Sequence, residues 1–244
     1  MNSIKNIFGR IWALWGLISF LTTFLIIFIP SMVSHLMKDP KGQTYFIAVS
    51  KIWMTIWLYM IGCPVKVSGK ENFKPHKAYI VVYNHNALLD VPLSAPFVPG
   101  ANKTIAKASF SKIPLFGSFY KRGSVLVDRK NEKSRSKSFD SMKKVLTTGM
   151  HMCIYPEGAR NRTTEPIKPF HDGAFRLAVA TKSDIIPCII IGTKKAMPIN
   201  KKFFLLPIKL KMHFLPPVSS TDMTVTQLKE TVFNTMVTYY VEHV

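Results

Sequence analysis

The sequence predicts an α/β domain that follows a pair of apolar N-terminal helices. Residues 11–30 carry no charged side chain, and residues 44–63 carry a single one. From about Val65 onward, short apolar runs alternate with segments of helical character, separated by glycine, proline and basic residues. We therefore divide the chain into an N-terminal membrane-associated helical hairpin, residues 1–65, and an α/β domain, residues 66–244.

The first apolar segment, Ile11 to Pro30, is long enough to span a bilayer as a helix. A signal peptide has a shorter apolar core and a small-residue cleavage site, so we expect this segment to remain in the mature protein. The second segment, Thr44 to Cys63, is less clearly a span because it contains Lys51. A full crossing and a re-entrant arrangement both stay open at this point, and two buried core helices are the alternative interpretation.

Basic residues flank the hairpin on both outer sides. Lys5 and Arg10 precede it, and Lys66 and Lys70 follow it. Because positive charge is retained on the cytoplasmic side of membranes, this pattern predicts that both ends lie on the cytoplasmic face. We therefore expect a protein of the cell inner (cytoplasmic) membrane whose α/β domain lies in the cytoplasm.

The secondary structure of the α/β domain is predicted from its apolar runs and its helical periodicity. Strands are expected at Ala78 to Tyr83, Thr104 to Ala106, Ser124 to Val127, Met152 to Tyr155, Ile185 to Ile191 and Ile208 to Phe214. Helices are expected at Leu89 to Phe97, Glu132 to Thr148, Gly173 to Thr181 and Val225 to Glu242. The segment from Glu132 to Thr148 has the pattern of an amphipathic surface helix.

Charge and cysteine content narrow the class of protein. The chain has 33 Lys and Arg against 13 Asp and Glu, a formal net charge of +20. Such a surplus attracts anionic partners: nucleic acid, anionic lipid headgroups, phosphorylated substrates or acidic carrier proteins. The three cysteines, Cys63, Cys153 and Cys188, are far apart in apolar runs, which predicts buried, reduced thiols and neither a disulfide framework nor a zinc site.

A histidine and an aspartate follow the first predicted strand of the α/β domain, in the segment Asn-His-Asn-Ala-Leu-Leu-Asp from Asn84 to Asp90. His85 and Asp90 would be about 140° out of phase on a continuous helix, so they meet only if the chain turns between them. Asn84 or Asn86 as a helix cap would supply that turn. With Asp90 on one imidazole nitrogen, the other could accept a proton from a hydroxyl. The alternative is a hydrogen-bonded histidine at a helix start.

Two further predicted strands end in glycine and arginine. The segments are Gly123 to Arg129 and Tyr155 to Arg160. Arginines delivered from strand ends suit a phosphate-bearing substrate, because the guanidinium fork matches phosphate oxygens.

At this point the chain resembles the 1-acyl-glycerol-3-phosphate (lysophosphatidic acid) acyltransferases of the glycerolipid acyltransferase superfamily. The resemblance runs from about Tyr79 to Ile191. Its four ordered blocks are NHNALLD, GSVLVDR, EGAR and IIPCII, with a connecting segment that contains Lys107. Leu126 stands where the family's second block has an aromatic residue, and His171-Asp172 stand where many members have two lysines.

The resemblance implies a mixed β-sheet flanked by helices, the glycerol-3-phosphate acyltransferase-like fold. It also implies that His85 is the general base, that Asp90 orients it, and that a lysophosphatidic acid hydroxyl attacks an acyl thioester directly. The absence of a Gly-x-Ser-x-Gly motif is in keeping with direct attack. The residues expected to bind substrate are Arg160 as the phosphate ligand, Glu157 and Gly158 in its loop, and Arg129, Gly123 and Lys107.

Acyl-CoA and acyl carrier protein both remain open as the donor, and neither a metal nor another cofactor is expected. Membrane lipids are expected partners, and nucleic acid is not. Two alternatives remain: an acyltransferase for another lysolipid, such as a lyso-ornithine lipid, and a non-catalytic basic protein that binds membranes or nucleic acid. The second is disfavoured because aromatic and basic residues do not form a recognisable RNA-binding motif.

Overall fold

The computed structural model describes residues 2–128 and 130–244 and contains a seven-stranded mixed sheet. The strands are β1 (Val65–Ser68), β2 (Ile80–Tyr83), β3 (Asn102–Lys107), β4 (Ser124–Val127), β5 (His151–Ile154), β6 (Ile185–Ile191) and β7 (Leu210–Phe214). The helices are α1 (Asn2–Met32), α2 (Lys41–Met60), α3 (Asp90–Phe97), α4 (Phe116–Gly123), α5 (Glu132–Thr147), α6 (Gly173–Thr181), α7 (Thr193–Ala196) and α8 (Val225–His243). Short 3₁₀ segments lie at Val33–Leu36, Lys70–Asn72 and Ala108–Lys112.

The strand order is β1-β7-β6-β2-β5-β3-β4, and the pairs are parallel except β6 with β7. The mixed α/β fold expected from the sequence is therefore confirmed. All six expected strands are present within a few residues, as are the four expected helices. The strand β1 and the helices α4 and α7 were not predicted. β1 is a half-exposed edge strand of four residues, and its sequence Val-Lys-Val-Ser lacks an apolar run.

The sheet separates two layers of helices. Val81 and Tyr83 of β2 pack in one apolar cluster with residues of α1, α2 and α3. Ile80 and Val82 pack on the other face in a second cluster, with residues of α5, α6 and α8. This alternation follows from the two-residue period of a strand, which points successive side chains to opposite faces of the sheet. The N-terminal helices and α5 thus lie on opposite faces.

The helices α1 and α2 pack antiparallel through tryptophan side chains. The indole N–H of Trp12 donates to the carbonyl of Ile61 (2.9 Å), and that of Trp57 donates to the carbonyl of Gly16 (3.1 Å). Among the described residues, only Ser3–Leu36 is long and apolar enough to cross a membrane. The expected pair of helices is present, but the second does not have the composition of a span. Its sequence is less apolar than that of α1, and one of its faces packs in the core, with Phe46, Ser50 and Trp53 buried.

Both ends of the helix pair are bonded to the sheet domain. The Gly9 carbonyl, near the start of α1, accepts from the backbone N–H of Leu205 at 3.0 Å. At the α1–α2 turn, Asp39 forms ion pairs with Arg122 of α4 (2.7 Å) and Lys103 of β3 (3.1 Å). The division of the chain at residue 65 stays a prediction, since these contacts join the two parts closely. The cysteines are free and buried.

Candidate active site

The candidate site lies at the edge of the sheet where parallel strands end. The strands β2, β5, β3 and β4 are neighbours and run parallel, so their carboxyl ends share one edge. His85 follows β2, the segment from Tyr155 to Arg160 follows β5, and Lys107 is the last residue of β3. Such an edge is the usual place for sites in open α/β sheets.

The structure brings His85 and Asp90 together. The Nδ1 atom of His85 lies 2.9 Å from Oδ2 of Asp90, the first residue of α3. The same oxygen accepts from the backbone N–H groups of Asn86 (2.6 Å) and Ala87 (2.7 Å). The Asp90 carboxylate is fully buried, whereas the His85 side chain is 14% exposed. The turn between the two residues is therefore fixed by Asp90 itself.

The expectation that Asn84 or Asn86 caps the helix is wrong. The residue preceding α3 is Leu89, which makes no side-chain cap hydrogen bond. The side chain of Asn84 instead bridges to β6, donating to the Ile190 carbonyl (2.9 Å) and accepting from its N–H (2.7 Å). Asn84 is thus occupied in joining the end of β2 to β6, and the anionic side chain of Asp90 satisfies the amides of the turn.

This geometry determines the tautomer of His85. A carboxylate can only accept hydrogen bonds, so Nδ1 carries the proton and Nε2 is left with a lone pair. The imidazole ring lies beside the Tyr155 ring, with centroids 4.4 Å apart, and the Tyr155 hydroxyl donates to the Asp90 carbonyl at 2.8 Å. Burial, and then the charge of Asp90, raise the pKa of Tyr155. In the neutral form of the imidazole, Nε2 is therefore the nitrogen that can accept a proton.

Glu157 holds the backbone of His85. Its Oε1 atom accepts from the His85 N–H at 2.6 Å and its Oε2 from the Lys168 N–H at 3.0 Å. The carbonyl of His85 accepts from the N–H of Asn161 at 2.6 Å. Burial raises the pKa of Glu157, and the two backbone amides act against that rise. Both carboxylate oxygens are engaged by backbone, so in this structure Glu157 positions the histidine loop instead of facing a substrate.

The other residues expected to bind substrate are placed differently. Arg160 is exposed next to Asn161 and forms no hydrogen bond or ion pair with another described residue. Lys107 is exposed, and Gly158 has a positive φ of 70° in the turn after β5. Arg129 lies outside the described residues. Gly123 ends α4 beside Phe46, where an added Cβ would lie 2.9 Å from the ring.

An apolar cavity of about 290 Å³ opens beside His85. Lys107, Gly123 and Gly158 also line it, so four of the residues expected in the site share one cavity. Its walls come mostly from the N-terminal helices, α3 and α4. The apolar and aromatic wall residues are Phe20, Phe46, Ile47, Trp53, Met54, Val91, Pro92, Ala95, Pro96, Ile105, Ala106, Phe116, Phe119, Tyr120 and Tyr155.

Sequence reasoning missed Tyr155 and the aromatic wall. Tyr155 directly precedes the Pro-Glu-Gly-Ala-Arg segment, and this position is the signal that could have identified it. Phe119 packs against Phe46 (4.7 Å between centroids) and Trp53 (5.4 Å), which belong to a different helix. No local pattern links those positions, so the sequence carried no signal for that contact.

Comparison with known proteins places the chain in a family. The family model described as Acyltransferase matches residues 64–191, slightly more than half of the chain. That range contains His85, Asp90, Glu157 and Arg160. The chain belongs to the Acyltransferase family.

Individual relatives in this family carry a more specific name. The chain is 32% identical over 178 residues to a 1-acyl-sn-glycerol-3-phosphate acyltransferase of Saccharomyces cerevisiae, covering 70% of this chain and 57% of that protein. It is 30% identical over 189 residues to the Mus musculus 1-acyl-sn-glycerol-3-phosphate acyltransferase alpha, covering 75% of this chain and 66% of that protein. The chain thus spans less than two-thirds of the length of these relatives.

One solved structure has the same fold. The crystal structure of the 1-acyl-sn-glycerophosphate (LPA) acyltransferase PlsC from Thermotoga maritima superposes with a TM-score of 0.80. The match covers 99% of this chain and 97% of that one, at 24% identity. The overlap includes the N-terminal helices as well as the sheet, so the whole architecture is shared.

Proposed function

We propose that this protein transfers an acyl group from a thioester to the free sn-2 hydroxyl of 1-acyl-glycerol-3-phosphate, giving phosphatidic acid. The observation that carries the proposal is the His85–Asp90 pair at the wall of an apolar cavity. The cavity offers a place for an acyl chain, and the imidazole offers a base beside it. The names of the relatives supply the acceptor, and membership of the family supports the reaction class.

His85 acts as general base in this mechanism. Its Nε2 accepts the proton of the acceptor hydroxyl while the oxygen attacks the thioester carbonyl. The buried Asp90 carboxylate stabilises the imidazolium that forms. A C–O bond forms, the C–S bond breaks, and the proton passes from the imidazolium to the departing thiolate. Thiols ionise near neutral pH, so the leaving group needs little acid assistance.

Arg160 binds the phosphate of the acceptor. Its side chain is exposed and, within the described part of the chain, forms no ion pair, so a phosphate meets no competing carboxylate. The Arg160 backbone adjoins Asn161, whose N–H bonds the His85 carbonyl. The phosphate ligand and the base are therefore held in one loop system. Lys107, exposed at the end of β3, supplies a second positive charge near the cavity.

The protein binds one leaflet of the membrane through α1. A crossing helix needs about 30 Å of hydrocarbon between its ends, which would place the α1–α2 turn on the far side of the bilayer. That turn is instead bonded to Arg122 and Lys103 of the sheet domain. The outer face of α1 carries exposed apolar residues, including Ile11 at 62% and Leu25 at 59%. The basic flanks support a position of the domain on the cytoplasmic face of the inner membrane.

Purified protein assayed in detergent or vesicles with lysophosphatidic acid and acyl-CoA tests the reaction. We expect the wild type to form phosphatidic acid and His85→Ala to form none. The control is His76→Ala, which removes an exposed histidine in the loop before β2 and should retain full activity. Near wild-type turnover in His85→Ala would exclude it as the base. An Arg160→Ala variant should raise the KM for lysophosphatidic acid, and an unchanged KM would remove Arg160 from the phosphate site.

A further inference from the structure

A second concave surface lies on the outer edge of the sheet. An open groove of about 910 Å³ runs between the edge strand β4 and the helix α5. Lys103, Lys133, Lys137 and Lys144 line it, and Asp39 is the single acidic residue among its described lining residues. Asp39 is paired with Lys103 and Arg122, so it does not neutralise the three lysines of α5.

The three α5 lysines form a stripe. Lys133, Lys137 and Lys144 are four and seven residues apart, a spacing that places them along one side of a helix over about 16 Å. All three are exposed, and none forms an ion pair with an acidic residue in the described part of the chain. Val125, Val145 and Met150 supply an apolar floor beside them. The groove therefore matches an extended acidic surface with some apolar residues.

The position of α5 favours a partner from solution over the bilayer. Met142 and Leu146 of α5 pack on one face of the sheet, in the cluster that contains Ile80. Phe24 of the membrane-binding helix α1 packs on the opposite face, in the cluster that contains Val81. A leaflet that contacts the outer side of α1 lies across the sheet from the lysine stripe. No aromatic ring lies among the described lining residues, which disfavours a nucleotide base as the main ligand.

The groove begins at the same edge of the sheet as the candidate active site. The helix α5 connects β4 to the parallel strand β5, so its first turn lies at the carboxyl edge and its last at the amino edge. The strand β4 is three positions from β2 in the sheet, about 14 Å at the usual strand spacing. A flexible prosthetic arm on a partner bound along α5 can cover that distance to His85.

We propose that the β4–α5 groove is the docking surface for an acidic acyl carrier protein, whose acidic helix lies along the lysine stripe while its thioester enters the cavity. This inference rests on the proposed acyl transfer. It assigns the donor protein a surface separate from the membrane helix, so donor and bilayer can be bound together. Charge complementarity of this kind acts mainly on the association rate and falls with ionic strength.

The test compares two donors with one acceptor. Lysophosphatidic acid is acylated by palmitoyl-acyl carrier protein or by palmitoyl-CoA, using wild type and the triple variant Lys133→Glu, Lys137→Glu, Lys144→Glu. We expect kcat/KM with the carrier protein to fall at least about tenfold and to lose its dependence on salt. With palmitoyl-CoA, kcat/KM should stay within about twofold, which also shows that the variant folds.

The matched control reverses three exposed lysines near the opposite edge of the sheet that take no part in the basic flanks: Lys74→Glu, Lys209→Glu, Lys211→Glu. It has the same change in net charge and should leave both donors within about twofold of wild type. Three results would overturn the docking surface: an equal loss of kcat/KM with both donors in the α5 variant, no loss with either donor, or wild-type transfer from palmitoyl-CoA alone. So would loss of binding to anionic vesicles in the α5 variant. Absence of transfer from both donors in the wild type would instead overturn the proposed reaction.

Discussion

The substitution Asp90→Asn separates the charge of the aspartate from its geometry. Oδ2 of Asp90 accepts three hydrogen bonds, from the His85 imidazole and from the N–H groups of Asn86 and Ala87. An asparagine whose carbonyl oxygen takes the place of Oδ2 can accept the same three. Its amide then occupies the place of Oδ1, a buried atom without a partner among the described residues. The variant therefore keeps the loop and the histidine tautomer but loses the negative charge.

The magnitude follows from the hydrogen bonds that the charge strengthens. A hydrogen bond to a charged group contributes about 1.5–3 kcal/mol, more than a neutral one. If the imidazolium in the transition state loses one such interaction, kcat falls about 10- to 150-fold, because 1.36 kcal/mol corresponds to a tenfold change. The KM values should stay within about twofold, since neither substrate contacts the buried carboxylate.

Steady-state kinetics with lysophosphatidic acid and a soluble acyl-CoA measure both constants. Thermal unfolding of the same preparation should show a loss of about 1–3 kcal/mol from the buried unpaired amide, which confirms that the protein remains folded. A wild-type kcat in Asp90→Asn, or a rise in KM at constant kcat, would refute the assignment of Asp90 as the partner of a general base.

Three further predictions concern Glu157, His151 and the cavity wall. Glu157→Gln places an amide N–H against one of the two backbone N–H groups that the carboxylate now accepts from. We therefore expect the free energy of denaturant unfolding to fall by about 1–3 kcal/mol, and kcat to fall at unchanged KM. An unaltered kcat would contradict the positioning role of Glu157. His151 accepts from the Tyr79 N–H at 3.0 Å, and burial lowers its pKa from 6.5 to about 4. The free energy of unfolding is therefore highest above pH 6.5 and falls by about 3 kcal/mol as the pH decreases from 6.5 toward 4, because the unfolded chain binds the proton first. Urea unfolding of His151→Asn as a function of pH should lack this decrease. Phe119→Leu enlarges the cavity, so competition between acyl-CoA donors should favour longer acyl chains by about fourfold per additional methylene that the cavity accommodates. An unchanged preference for acyl-chain length would show that the acyl chain binds elsewhere.

The fold could be predicted largely from local patterns. Buried strands such as β6 are continuous apolar runs, and parallel pairing with intervening helices follows from their alternation along the chain. The strand β1 was not predicted, because an edge strand needs no continuous apolar run. The helix α4 was not predicted, because its eight residues are mostly polar or aromatic. It is stabilised by packing on α2, a tertiary contact that local sequence does not show.

The candidate site could be predicted in part. The positions of His85 and Asp90 after a strand were visible, and so was the need for a turn between them. The residues that form the turn were not, because Asn84 is engaged by Ile190, 106 residues away in sequence. The function of the Glu157 carboxylate was hidden for the same reason, since its hydrogen bonds go to backbone groups of remote segments. Sequence spacing identifies which groups meet, but not which of their atoms are already occupied.

The N-terminal helices are also a wall of the cavity. Phe20 of α1 and Phe46, Trp53 and Met54 of α2 line the space beside His85. Deleting residues 1–60 to obtain a water-soluble protein would therefore open the cavity to solvent and expose the aromatic cluster around Phe119. Polar replacements on the outer face of α1 leave that lining in place. A more soluble variant is thus a problem of surface redesign, in which α1 must be retained because its inner face forms part of the cavity wall.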